Sequence, residues 1–155
     1  MVALRSASTR AIEIEAEPDA VHKLLADVVG CGRLMPGVES LTAESDGTYH
    51  YVLTTISNGA VSHTPDYRSR FDTSDPAHIT WGPADEGGTD NFRSWGTFRT
   101  EPGTSPGTTR LEIETRSEAD VDIAPVVLPL VEPFAKQQSE EITEGFLQAI
   151  KERVE

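Results

Sequence analysis

Seven side chains in this sequence carry a hydrogen-bonding tip at positions where the surrounding pattern is apolar: Tyr49, Tyr51, Tyr67, Ser69, Trp81, Ser94 and Gln138. Tyr49 and Tyr51 stand two residues apart, as do Tyr67 and Ser69, so each pair shares one face of a strand. Gln138 falls in the apolar stripe of a helical segment, where a buried amide needs a partner to avoid a cost of about 2–7 kcal/mol. Its partner is either a ligand or a tyrosine or water inside the fold. With Phe98 and Ile142, the set suits the lining of a pocket for a molecule with an aromatic or alicyclic body and a few polar groups. The competing reading is ordinary core packing.

Other chemistries find less support. No serine sits in a GxSxG nucleophile elbow, and Cys31 has no base beside it that sequence can identify, so no catalytic residue is assigned. The four histidines, His22, His50, His63 and His78, are dispersed without ligand spacing, and no metal site is expected. Gly87-Gly88 lacks the following helix that would offer amides to a phosphate, and no cofactor is expected. Arg68 and Arg70 share the strand face opposite Tyr67 and Ser69, as a solvated sheet surface would.

The elements that must position the polar set follow from periodicity. Arg10 to Ala16 alternates as a half-buried strand, with Ile12, Ile14 and Ala16 against Glu13 and Glu15. Val21, Leu24, Leu25 and Val28 then fall at helical spacing behind Pro18 and Asp19, which suit a helix start. Gly30 and Gly32 are expected to break this helix into a second one ending near Met35-Pro36-Gly37. Strands are expected at Leu41 to Ala43, Thr48 to Ile56, Ser62 to Ser74, His78 to Gly82, Phe92 to Thr100 and Thr109 to Asp120. Turn signals at Ser45 to Gly47, Ser57 to Gly59, Asp85 to Asp90 and Pro102 to Gly107 separate them. Pro65 predicts an edge or bulge. Strand parity turns Tyr49, Tyr51, Leu53, Tyr67, Ser69, Phe71, Ile79, Trp81, Phe92, Ser94, Gly96, Phe98, Leu111, Ile113 and Thr115 inward, and Arg93, Trp95, Thr97 and Arg99 outward.

Pro125, Pro129 and Pro133 discourage an uninterrupted helix until roughly Leu130, and helical period holds throughout from Phe134 to Val154, a span of about 30 Å. Phe134, Gln138, Ile142, Phe146, Ala149 and Ile150 share one side of that helix. Such a stripe must be covered, and the expected arrangement lays it across a curved antiparallel sheet with an elongated space between. Phe134, Ile142 and Phe146 are expected to be buried.

Composition bounds the class. A chain of 155 residues is long enough for one domain, residues 1–155, burying roughly 70% of its unfolded surface. Thirteen basic against 26 acidic residues give a net charge of -13, which repels phosphate backbones and argues against nucleic-acid binding. The first ten residues lack a secretory apolar core, and no run of 18 apolar residues offers a membrane span. A single cysteine excludes an intramolecular disulfide, and a cytoplasmic location is expected.

The order strand, two short helices, strands, long helix, together with Leu34-Met35-Pro36-Gly37-Val38-Glu39-Ser40-Leu41 and Asp75-Pro76-Ala77-His78, resembles the START-like, or SRPBCC, superfamily. The resemblance is nearest the branch that holds the polyketide cyclase/lipid-transport proteins and the G-type accessory proteins of carbon monoxide dehydrogenase. It implies an α+β helix-grip (Bet v 1-like) fold, a curved antiparallel sheet around a long C-terminal helix. Three functions follow as expectations. The first is binding or carriage of a small hydrophobic ligand such as a lipid, a polyketide or an aromatic or alicyclic metabolite. The second is a polyketide cyclase/dehydratase-type enzyme in which Tyr49, Tyr51, Tyr67 or Arg68 orients a poly-β-ketone or supplies a proton. The third is a protein-binding accessory factor. Leu34, Met35, Pro36 and Gly37 are expected at the cavity entrance, either as a moving apolar gate or as a static helix-to-strand corner.

Overall fold

A computed structural model describes residues 2–57, 59, 61–85 and 88–155. The expected turns at Ser57 to Gly59 and Asp85 to Asp90 therefore include Asn58, Glu86 and Gly87, which lie outside the described residues. Strand β1 (Val2–Ile14) leads into helices α1 (Pro18–Ala26) and α2 (Val28–Gly32). Strands β2 (Val38–Ala43), β3 (Tyr49–Leu53), β4 (Ile56–Ser57), β5 (Ser62–His63), β6 (Asp66–Asp72), β7 (His78–Pro83), β8 (Phe92–Pro102) and β9 (Thr109–Val121) follow. A 3-10 turn at Pro125–Val127 then opens into helix α3 (Leu128–Val154). Among the described residues, seven strands form one antiparallel sheet in the order β1-β9-β8-β7-β6-β3-β2, and β4 pairs with β5 alone. The sheet curves around α3, the helix-grip arrangement.

Strand β1 begins eight residues earlier than the alternation predicts and stops at Ile14. Its inward positions there are Leu4, Ser6 and Ser8, and two serines erase the apolar-in, polar-out signal on which periodicity relies. Pairing decides instead, since β1 runs in unbroken register with β9 from Val2↔Val121 to Ile14↔Thr109.

The helix break also moves. Asp27 separates α1 from α2, accepting the Gly30 amide at 3.1 Å as N-cap of the second helix, so Gly30 and Gly32 lie inside α2 rather than at the break. Side-chain capping, an option open to any aspartate, outweighs the poor helix propensity of two glycines because Val28, Cys31 and Gly32 are buried. Val21, Leu25 and Val28 of the predicted stripe are buried and Leu24 is half-buried.

Two expected long strands are each split. Thr48 to Ile56 becomes β3 and β4, and Ser62 to Ser74 becomes β5 and β6 with Pro65 between them. Pro65 has no N–H to donate, while its carbonyl accepts the Leu53 amide at 2.9 Å. The small β4-β5 ribbon thereby peels away from the main sheet.

Helix α3 starts six residues before Phe134. Pro129 occupies its first turn, where an amide has no intrahelical partner to lose. Pro133 forfeits one helical hydrogen bond, a local loss offset by the burial of Val131 two residues before it. The 27 residues span about 40 Å. Phe146 and Ile150 are buried as expected, but Phe134 and Ile142 are only half-buried. Both face an open cavity, where side chains touch empty space instead of neighbours.

The main core joins Ile14, Val21, Leu25, Cys31, Ile79, Phe98, Leu111, Ile113, Phe146, Leu147 and Ile150. A second cluster gathers Leu41, Tyr51, Leu53 and Tyr67 at the other end of the sheet. The cavity lies between α3 and the sheet that these clusters hold apart.

Candidate functional site

The inner sheet face, α2 and α3 enclose a cavity of about 170 Å³. Its deep part is closed by Leu25, Val28, Cys31, Phe98, Ile113 and Phe146, and its far part by Leu4, Val61, His63, Val121 and Val131. An adjoining groove, lined by Pro36, Gly37, Thr54 and Ser57, shares Leu53, Ile56, Phe134, Gln138 and Ile142 with the cavity.

Of the side chains singled out from sequence, Tyr51, Tyr67, Ser69, Trp81, Ser94, Phe98, Gln138 and Ile142 all border this one cavity. Tyr49 does not line it. Tyr49 points inward as parity predicts, but sits near the end of β3, where its ring packs edge-on against Phe71 with centroids 5.6 Å apart. The entrance set divides: Met35 lines the cavity, Pro36 and Gly37 line the groove, and Leu34 packs against the main core. Gly37 adopts φ +87°, a conformation glycine takes without a Cβ penalty. Its carbonyl accepts both the Thr54 amide (2.7 Å) and the Thr54 hydroxyl (3.2 Å), tying the corner to the end of β3.

An aromatic row forms one wall. Tyr51 and Tyr67 stack at 5.1 Å with planes 7° apart, Tyr67 meets Phe92 at 4.7 Å, and Phe71, Trp81 and Phe98 follow at 5.6 and 5.1 Å. Phe98 meets Phe146 of α3 at 5.8 Å. Trp81 lies directly over Gly96, where a Cβ would stand 2.1 Å from its ring, so only glycine admits the indole at this height. The indole N–H donates to Ser94 Oγ at 3.0 Å. Trp95 lies on the other sheet face, 4.3 Å under the Arg116 guanidinium, and Arg93 there holds Asp120 through two hydrogen bonds of 2.8 and 3.0 Å.

Burial controls the titratable groups that border the cavity. It pushes the Tyr51 and Tyr67 hydroxyls above the usual phenol range, with smaller contributions from neighbouring acidic groups. It also pushes the Cys31 thiol up to about 12, so Cys31 serves packing. The His63 imidazole is held below its ordinary value, chiefly by burial, with Asp120 opposing. His63 Nε2 is buried without a hydrogen-bond partner among the described residues. Sequence spacing offers no sign of His63, because its role depends on the β4-β5 ribbon folding back beside Phe92, 6.4 Å from its ring.

Arg68 is 43% exposed and faces Glu44 and Asp90, outside the cavity. His50 bonds Asp66 at 2.5 Å on the same outer face, and His22 bonds Thr100 at 2.6 Å. Among the described residues no group of histidine, cysteine and carboxylates is arranged to hold a metal ion, and no helix is long and apolar enough to cross a membrane.

Residues 6–155 match the model of the family described as polyketide cyclase/dehydrase and lipid transport. The chain belongs to this family. No match to a curated protein is found. Among solved structures, a conserved protein from Geobacillus kaustophilus is 20% identical, with 96% of this chain and 94% of that one covered and a TM-score of 0.69. A START superfamily protein from Mycobacterium smegmatis is 15% identical over 96% of both chains, with a TM-score of 0.63. The Zhui aromatase/cyclase from Streptomyces sp. R1128 is 19% identical over 97% and 93%, with a TM-score of 0.60. At these identities the likeness is one of fold, and the family's helix-grip scaffold accounts for it.

Proposed function

We propose that this family member binds or carries a small hydrophobic molecule in the cavity between sheet and α3. The observation that carries the reading is the cavity itself: an interior space walled by aromatic and aliphatic side chains, with a few hydroxyls, an amide and an imidazole set among them. Such a lining desolvates an apolar body while the polar groups orient it. Tyr51, Tyr67, Ser69, Trp81, Ser94, Phe98, Gln138 and Ile142 are the proposed contacts. The corner at Met35, Pro36 and Gly37 is the proposed entrance, because it borders both the cavity and the groove.

A cyclase-type reaction draws on the same cavity, and the Zhui aromatase/cyclase shares the scaffold. The groups that the sequence suggests for it are poorly placed here, however. Arg68 points outward, Tyr49 is packed against Phe71, and the Tyr51 and Tyr67 protons are held more tightly than in water. No two titratable side chains lining the cavity are hydrogen-bonded to each other among the described residues. Binding is therefore the better-supported reading. Native mass spectrometry of the purified protein, followed by extraction and identification of bound material, tests it. A retained small molecule, lost together with a change in Trp81 emission in a Trp95→Phe background, is the expected result. A protein that holds nothing and fails to take up any small apolar probe refutes it.

A further inference from the structure

Among the described residues that border the cavity, His63 alone can change its charge near neutral pH. No lysine, arginine, aspartate or glutamate shares that wall. The Nε2 of His63 is buried and meets no hydrogen-bond partner, a state the neutral ring tolerates better than the charged one. Protonation makes both ring nitrogens donors, and a charged donor buried without an acceptor costs more than a neutral one.

The neighbours of the ring offer no such acceptor. Phe92 of β8 stands 6.4 Å from it, and Leu4 of β1, Val121 of β9 and Val131 of α3 close the same end of the cavity. Asp120 of β9 is the one charged group that acts on the ring, and burial outweighs its pull. Its carboxylate is already held by Arg93 of β8, which also faces Glu118 of β9 at 3.5 Å.

The strand that carries the ring is slightly attached. β5 pairs only with β4, through Ile56↔His63 and Ser57↔Ser62, apart from the main sheet. Its flank is held by the Thr55 and Thr64 hydroxyls, 2.5 Å apart, and by Asn91 Nδ2, which donates to the Thr64 carbonyl at 2.9 Å. Ile56, the partner of His63, borders both the cavity and the entrance groove. A ring that turns out to water therefore loosens the wall where the cavity meets its entrance.

We infer that His63 is an acid-operated release for the cavity: once protonated, its ring leaves the wall for water and the occupant departs faster. This inference rests on the cavity-binding reading above and adds its regulation. The sign follows from linkage. Turned to water, the ring takes up its proton near the ordinary 6.5, whereas seated in the wall it resists the proton. The share of the open arrangement therefore grows as pH falls below that value, by at most about tenfold per pH unit.

Stopped-flow release of N-phenyl-1-naphthylamine from the full chain into excess β-cyclodextrin tests it, because this probe stays uncharged over the range and fluoresces in apolar surroundings. Between about pH 7.5 and 5 the release rate is expected to rise about threefold or more, with about thirtyfold the ceiling set by the ordinary histidine value. His63→Gln should flatten the profile, and His50→Gln, on the outer sheet face, should keep it. A smaller rise in the wild type, or one that survives His63→Gln, overturns the inference while leaving the cavity reading intact. A protein that takes up neither this probe nor naphthalene at about pH 7.5 loses both. If His63→Gln does not fold, the His63 ring-proton resonances of the wild type decide: they should titrate at lower pH when the probe saturates the cavity, and an unchanged titration overturns the inference.

Discussion

Replacing Gly96 by alanine tests whether the aromatic wall is as closely fitted as its distances indicate. The new Cβ would stand 2.1 Å from Trp81 Cζ2, 2.5 Å from Cε2 and 2.7 Å from Cη2, whereas ordinary contact begins at 3.4 Å. Neither atom can simply retreat with its backbone, because β7 and β8 are paired through Trp81↔Gly96 itself. The indole must tilt into the cavity, away from its seats against Phe71 and Phe98. Forcing a core side chain off its position costs about 1–3 kcal/mol. Loss of the Trp81 to Ser94 hydrogen bond adds about 1 kcal/mol, and escape into free space offsets part of the sum. A net destabilisation of about 2–3 kcal/mol is expected, which in a chain of this size lowers the melting temperature by about 5–10 °C.

Gly82→Ala supplies the control. On the neighbouring strand a Cβ there would meet Trp95 Cδ1 at an unstrained 3.6 Å. With no clash, the reduced freedom of the unfolded chain makes that change neutral or stabilising by up to about 1 kcal/mol. Urea denaturation followed by far-UV circular dichroism measures both, and Trp81 emission in a Trp95→Phe background reports the indole's position. A Gly96→Ala protein within about 0.5 kcal/mol of wild type, with unchanged Trp81 emission, would refute the argument.

Three further expectations use other parts of the structure. Phe146→Ala should cost about 3 kcal/mol by chemical denaturation, the low end for phenylalanine, because the ring borders the cavity as well as the core; a cost under about 1 kcal/mol would show that α3 is not seated as described. His63 has its folded value below the ordinary 6.5, so as pH falls below that value the unfolded chain takes up a proton that the folded one resists. Stability should therefore decline from about pH 6.5 downward, and His63→Phe, measured by urea midpoints at about pH 5, 6 and 7.5, should flatten that part of the profile. If the corner at residues 30–38 is the entrance, its amides should exchange readily in the free protein and become protected when the small molecule recovered by extraction saturates the cavity; equal protection in both states would make it a static corner.

Periodicity carries the architecture of this chain wherever one face of an element meets a dry core. The Val21, Leu25, Val28 stripe and the stripe ending at Phe146 and Ile150 are legible because burial forces apolar residues onto one side at helical spacing. Parity likewise identifies most of the cavity wall, since a strand offers its side chains only two faces. It fails where the inner face is not apolar: β1 goes unseen before Arg10 because Ser6 and Ser8 line or adjoin a cavity instead of a core. Helical period marks α3 only from Phe134, because Pro129 and Pro133 interrupt the local signal, while the helix begins at Leu128 with Val131 buried.

The residue types, the alternation and the order of elements thus determined the inward set and an antiparallel sheet crossed by one long helix, and the family resemblance supplied the helix-grip class. The tertiary structure decided which of those inward residues share a space. Tyr49 and Tyr51 lie on one strand face two residues apart, yet one packs on Phe71 and the other opens to the cavity. The placement of His63 depends on the β4-β5 ribbon leaving the sheet before Pro65. The row of Ser6, Ser117 and Ser94 spans 111 residues of sequence and exists only through strand register. Spacing along a chain fixes direction, but a binding site is a coincidence of positions in three dimensions, and those are set by pairings between segments that no local pattern records.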